Sequence, residues 1–131
     1  MYRRSCSRAH LTAILGCLFG LLLPVGSATA EPSIRHVVGA DPERGRRLIQ
    51  AYGCQACHAV PGVAGVDGIV GPPLRHFAAR AFIGGTFANE PSVLIRWIED
   101  APGMMPATAM PDMGVSRDEA RDIAAYLYTL R

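Results

Sequence analysis

Cys54-Gln55-Ala56-Cys57-His58 places two thiols three positions apart, with an imidazole directly after them. Residues at that spacing share one side of a helical turn, so the two sulfurs can act on one target. Three chemistries use such a pair. The thiols can cycle between dithiol and disulfide. As thiolates they can supply half the ligands of a tetrahedral zinc site. Or they can add to the two vinyl groups of one porphyrin while the adjacent His reaches the iron, which is the spacing of c-type haem attachment. A thioredoxin-like pair opens a helix after a strand, and no βαβ pattern is present. A structural zinc site usually needs four ligands, and there is no second Cys pair. The haem reading therefore leads.

A haem with one His needs a sixth ligand if it is to carry electrons. Met or His usually fills that place, and Met raises the reduction potential. His36 and His76 read more simply as solvated surface residues. Met104, Met105, Met110 and Met113 cluster near the C-terminal end. A Met is by default a core filler, but these lie in a segment bounded by prolines, where packing gives a weaker reason for them.

The elements that must hold these residues are helical. Asp41-Pro42-Glu43 predicts a helix start, with a carboxylate cap, Pro in the first turn and an acid near the positive end of the dipole. Gly45, Leu48, Ile49 and Tyr52 then share one face, and Gly53 is placed to end the helix just before the thiols. Residues 59–90 read as a long surface connection. Its glycines recur at 62, 65, 68 and 71, too few for a collagen repeat and lacking the Lys-Ser/Thr step of a phosphate loop. A loop that long usually wraps or does something. Pro91–Asp100 predicts a second helix with Val93, Leu94, Trp97 and Ile98 inward. Pro102, Pro106 and Pro111 argue against regular structure until Ser116, where Ser116-x-x-Glu119 is a capping box. The last helix follows, with Ala120, Ile123, Ala124 and Leu127 inward, Tyr126 beside them, and Asp118, Glu119 and Asp122 as helix-start charges. No convincing strand is found. The expected architecture is all-α, with three main helices and long loops. Their apolar faces are modest for this length, as if a cofactor supplied part of the core.

Residues 1–30 read as a cleaved signal peptide rather than as fold. Arg3, Arg4 and Arg8 precede the uncharged run Leu11–Val25, and Ala28-Thr29-Ala30 fits the small-x-small cleavage rule, so that Glu31 opens the mature chain. The run is shorter than the roughly 20 residues that span a bilayer, and Pro24 breaks it, which disfavours a retained membrane anchor. Lipidation at Cys17 is disfavoured because the apolar run continues past it. Residues 31–40 form a lead-in and 41–131 the domain. The whole chain of 131 residues has a formal charge of +2, too small to argue for nucleic acid or an anionic surface. All 13 bases are Arg, three of them in the leader, whereas all 11 acids follow it. The mature charge is thus −1. Only Cys54 and Cys57 remain after cleavage, so there is no disulfide framework despite an oxidising compartment.

Residues 41–131 resemble a class I monohaem cytochrome c, of the bacterial and mitochondrial type. The likeness is carried in order by Glu43-Arg44-Gly45, the C-x-x-C-H, Gly71-Pro72-Pro73-Leu74, Leu94-Ile95-Arg96-Trp97-Ile98, Pro106-x-x-x-Met110-Pro111 and Ile123-Ala124-Ala125-Tyr126-Leu127. The resemblance implies the cytochrome c fold around one haem c, bound covalently through Cys54 and Cys57, with His58 and Met110 as axial ligands. It implies that the Pro72 carbonyl accepts the other ring N–H of the haem His, that Arg80 and Thr108 lie near a propionate, and that Trp97 packs close to the haem. Gly45, Ile49, Ile123 and Tyr126 match the crossing of first and last helices. The chain departs from the family in lacking the Lys ring of mitochondrial-type carriers and in carrying an aliphatic Ile49.

The function expected is a periplasmic electron carrier in a respiratory chain, not an enzyme. By analogy a quinol–cytochrome c oxidoreductase would be the donor and a terminal oxidase the acceptor, with a dehydrogenase complex equally compatible as partner. The carrier would be a monomer or a subunit of a larger respiratory or dehydrogenase complex. An open-site haem enzyme or sensor is the third reading; the Met-rich loop and the lack of a distal acid–base pair argue against it.

Overall fold

The structure, a computed structural model, describes residues 35–131. The leader, the cleavage site and residues 31–34 of the lead-in lie outside the described residues. Helix α1 spans Pro42–Ala51, β1 Phe82–Ile83, β2 Phe87–Ala88, α2 Pro91–Glu99, α3 Ala101–Met104 and α4 Arg117–Leu127. Single 3₁₀ turns lie at Cys54–Ala56 and Phe77–Ala79. Among the described residues no helix is long and apolar enough to cross a membrane.

Helix α1 starts as its sequence dictates. The Asp41 carboxylate accepts from the Glu43 and Arg44 amides at 2.9 and 3.1 Å, and Pro42 occupies a first-turn position whose missing N–H costs nothing. At its other end Gly53 turns left-handed, φ 68°, and its amide returns to the Gln50 carbonyl. Helix α1 crosses α4 at Gly45. A Cβ there would lie 1.9 Å from the Asp122 carbonyl oxygen, so only glycine lets the two backbones meet. Ala120 and Ala124, fully buried on α4, and Ile49 and Ile123 complete the seam.

Three expectations need correction. On α2 the buried residues are Leu94, Ile95, Trp97 and Ile98, with Val93 only half-buried. This helix is covered on a wider arc than one four-residue stripe predicts. Pro102 does not prevent regular structure, because it falls in the first turn of the one-turn helix α3, capped by Asp100 through the Gly103 amide at 2.8 Å. Asp122 is not a solvated helix-start charge. It is 5% exposed, accepts from the Asp41 amide at 2.8 Å and pairs with Arg44 at 2.8 Å. A buried carboxylate needs such partners.

One short hairpin escaped the sequence reading. Gly84 and Gly85 both have positive φ, and the Thr86 amide closes the turn on the Ile83 carbonyl at 3.1 Å. That is the chemistry of a primed hairpin turn. Phe82 pairs with Ala88 and Ile83 with Phe87. Capping of α4 is as expected: Ser116 and Glu119 form both arms of the box.

Candidate functional site

The Cys54–Ala56 turn follows directly on Gly53, so the end of α1 aims the thiols. The His58 amide returns to the Cys54 carbonyl at 3.0 Å, which keeps Cys54, Cys57 and His58 on one compact turn. The His58 Nδ1 lies 2.8 Å from the Pro72 carbonyl oxygen. A carbonyl can only accept, so Nδ1 carries the proton and Nε2 keeps its lone pair for a ligand.

All eight nominated residues line one cavity of about 260 Å³: Cys54, Cys57, His58, Pro72, Arg80, Trp97, Thr108 and Met110. The rest of its wall is mainly apolar, with Ile49, Leu94, Ile98, Ile123 and Leu127 brought from three helices. The hairpin adds Phe82, Ile83 and Gly84. Gly84 is needed because a Cβ would meet the Trp97 six-membered ring at 2.9 Å. Trp97 is thereby fixed between the cavity and Phe87, whose ring centre is 5.9 Å away.

The polar residues of the wall are each held. Thr108 Oγ1 accepts from the Met110 amide at 3.2 Å, so the hydroxyl and the thioether are set by one turn. Arg80 donates to the Pro73 and Arg75 carbonyls and lies over the Phe77 ring, 5.4 Å from its centre. Burial and the nearby Arg75 lower its pKa, so an anion within the cavity would relieve it. Asn89 organises this corner. It is 1% exposed, its amide donates to the Phe77 and Arg80 carbonyls at 3.1 and 3.0 Å, and it accepts from the Tyr128 hydroxyl at 3.0 Å.

The four methionines part company. Met110 and Met113 line the cavity; Met104 and Met105 do not, and Met104 borders a separate groove with Arg96 and Arg117. Met113, set aside by its place in the motif, thus shares the cavity with Met110. Tyr126, matched to the α1–α4 crossing, is buried on α4, and its hydroxyl donates to the Pro61 carbonyl. His36 and His76 are exposed and outside the cavity. Sequence reasoning missed Asn89, Met113 and the hairpin residues. Ile83-Gly84-Gly85-Thr86-Phe87 did hold a hairpin signal; Asn89 had none.

The donor set suits a haem better than the other chemistries of a Cys pair. Burial pushes the Cys54 thiol up, whereas a reactive dithiol needs its leading thiol lowered. Among the described residues no group of three or more His, Cys, Asp and Glu is placed to hold a metal ion, so the thiols lack the further ligands of a closed zinc site. An apolar cavity bearing two thiols, a free imidazole Nε2 and a thioether fits a flat apolar macrocycle with an iron at its centre.

Comparison with known proteins agrees. The cytochrome c family model matches residues 42–131. Over 89 residues the chain is 29% identical to cytochrome c oxidase subunit 2 of Alkalihalophilus pseudofirmus, a match covering 67% of this chain and 25% of that protein. The chain therefore spans about a quarter of that relative's length. With the family model covering its whole helical domain, the chain belongs to the cytochrome c family, which implies electron transfer on a haem.

Proposed function

We propose that this chain is an exported, periplasmic electron carrier that holds one haem c through Cys54 and Cys57, with His58 and Met110 as axial ligands. The observation that carries this reading is the single cavity shared by both thiols, the imidazole with its free Nε2, and Met110. When bound, the haem supplies a one-electron couple between ferrous and ferric iron. The chain's own residues do the rest. Pro72 holds the His58 tautomer, Thr108 orders the Met110 backbone, Arg80 and Thr108 supply donors for propionates, and Trp97 closes the apolar wall. His58 and Met110 would hold the iron in both oxidation states.

The test is the absorption spectrum of protein matured with the haem-attachment machinery. The expected result is a low-spin spectrum with the weak far-red Met-to-ferric-iron band, lost in Met110→Ala and kept in Met113→Ala. A high-spin ferric wild type would overturn the carrier reading in favour of an open-site enzyme or sensor. Export is tested separately, by recovering haem-bearing protein trimmed to Glu31 in the periplasmic fraction; an intact leader in the membrane fraction would mean an anchor.

The similarity to an oxidase subunit favours a second arrangement, in which this domain works as a small subunit or docked partner of a larger respiratory complex. A quinol–cytochrome c oxidoreductase or a dehydrogenase would then deliver the electron and a terminal oxidase accept it. Size-exclusion of native membrane and periplasmic fractions separates a free carrier from a subunit.

A further inference from the structure

The glycines at 65, 68 and 71 belong to a strap, not to a featureless loop. Each faces the attachment motif, whereas Gly62 lies in a turn, φ 73°, against the Tyr126 hydroxyl. The Gly68 amide donates to the Gln55 carbonyl at 3.0 Å, the Gly71 amide to the Cys57 carbonyl at 2.8 Å, and the Leu74 amide to the Ala59 carbonyl at 2.8 Å. The approach is too close for side chains. A Cβ on Gly65 would meet Gln55 Cγ at 2.9 Å, and one on Gly68 would meet the Cys57 and Ala56 backbone at 2.4 and 2.6 Å. One on Gly71 would strike the His58 ring, 2.3 Å from Cε1 and 2.5 Å from Nδ1. Of the residues between, Val66 and Ile69 are exposed, and Val70, though largely exposed, borders the cavity. A period of three with inward glycines is what an extended strap needs to lie flat on another backbone.

We propose that Gly68 and Gly71 are positioning residues for the proximal ligand. The strap clamps the Cys57 backbone and the face of the His58 ring, and so fixes the direction of Nε2 toward the iron. The Pro72 carbonyl sets which nitrogen bears the proton; the Gly71 backbone against the ring sets how far that ring can turn. The Nδ1–H···O bond is also held closed, because the strap that carries its acceptor cannot lift without breaking the Gly68 and Gly71 hydrogen bonds. This rests on the proposed ligation by His58, and it assigns a role to the glycine spacing.

The experiment uses the haem-loaded protein with its histidines labelled with nitrogen-15. Solvent exchange of the His58 Nδ1–H, the hyperfine-shifted signals of its ring and the midpoint potential are measured in wild type, Gly68→Ala, Gly71→Ala and Gly39→Ala. Gly39 has a positive φ, 73°, which Gly68 and Gly71 do not, and a Cβ there meets only Arg121, at 3.8 Å. It reports the cost of a backbone change away from the attachment motif, including the strain that Gly65→Ala would carry at φ 144°. We expect tenfold or faster Nδ1–H exchange, displaced ring signals and a shifted potential in Gly71→Ala, smaller changes of the same kind in Gly68→Ala, and none in Gly39→Ala. Should Gly71→Ala fail to mature, Gly68→Ala and Gly65→Ala carry the test; the Gly65 Cβ meets only the flexible Gln55 side chain, and its strain at φ 144° is judged against Gly39→Ala. Unchanged His58 signals and potential in the strap variants, or equal changes in Gly39→Ala, would overturn the proposal. A wild type lacking low-spin His ligation would instead overturn the reading on which it rests.

Discussion

At the scale of single residues, the chemistry of this site depends on a few buried polar side chains that each join separate segments. Asn89 shows the consequence. Its side chain bridges the Phe77–Arg80 turn to Tyr128, so Asn89→Ala leaves two carbonyls and a hydroxyl short of partners in a buried place. Each orphaned group costs about 1–3 kcal/mol, and we expect the variant to lose at least about 2 kcal/mol by denaturant titration of the haem-bound protein. The site should feel it through Arg80, whose carbonyl Asn89 holds. Tyr128 makes a second prediction. Burial pushes its pKa from 10.0 up to about 12. Folding thus favours the neutral phenol, which contributes stability that is complete below pH 10 and is lost as pH rises toward about 12. Stability of the wild type should fall across that window. Tyr128→Phe should fall less steeply there while being weaker at neutral pH, because Asn89 Oδ1 loses its donor. Parallel slopes between pH 10 and 12 in the two proteins would contradict this.

At the scale of elements, α1 and α4 form the frame on which the site hangs, since α1 ends at the motif and α4 lines the cavity through Ile123 and Leu127. Gly45→Ala forces a methyl to 1.9 Å from the Asp122 carbonyl oxygen, with backbone on both sides and no flexible group to yield. We expect a loss at the upper end of overpacking penalties, about 3 kcal/mol, read as a lowered denaturant midpoint, and lower recovery of haem-bound protein. A midpoint equal to that of Gly39→Ala would show that the crossing is looser. These long helices were legible in the sequence because their signals are local: Asp41-Pro42 at one start, the Ser116–Glu119 box at another, and apolar spacing between. The rest was less legible for physical reasons. Helix α3 was hidden because Pro102 reads as a breaker except in a first turn. Asp122 read as a helix-start charge because its partners, Arg44 and the Asp41 amide, are 78 and 81 positions away. The strap's glycines were visible, but what they lie against is set by tertiary contact. At the site, Cys54, Cys57 and His58 stand out by spacing alone, and Met110 was singled out from four methionines by family likeness. Nothing local marks Asn89, whose role is to join three separate segments.

At the scale of the whole molecule, the helices pack on one another at the α1–α4 crossing and together line one side of a cavity. The arginines are largely spent on the fold: Arg44 on Asp122, Arg46 on Glu43, Arg117 on Glu99, and Arg35 and Arg121 on the Ala78 and Val38 carbonyls. The exposed pairs Arg46–Glu43 and Arg117–Glu99 are worth less than about 1 kcal/mol each, and the Arg44–Asp122 pair mainly offsets the cost of burying the carboxylate. Stability must come from apolar burial, and the centre of that burial is the cavity. The cavity of about 260 Å³ is partly open to solvent, so without haem its apolar lining from three helices meets water and that burial is lost. The entire stability of a domain this size is only on the order of 5–15 kcal/mol. The chain without its cofactor should therefore sit near the folding midpoint or below it. We therefore expect Cys54→Ala/Cys57→Ala protein, purified without haem, to show weak helical circular dichroism and no cooperative thermal transition, and the haem-bound wild type to melt sharply. Native-like ellipticity with cooperative melting in the haem-free variant would mean that the walls collapse onto each other, and that the helices, not the cofactor, form the core.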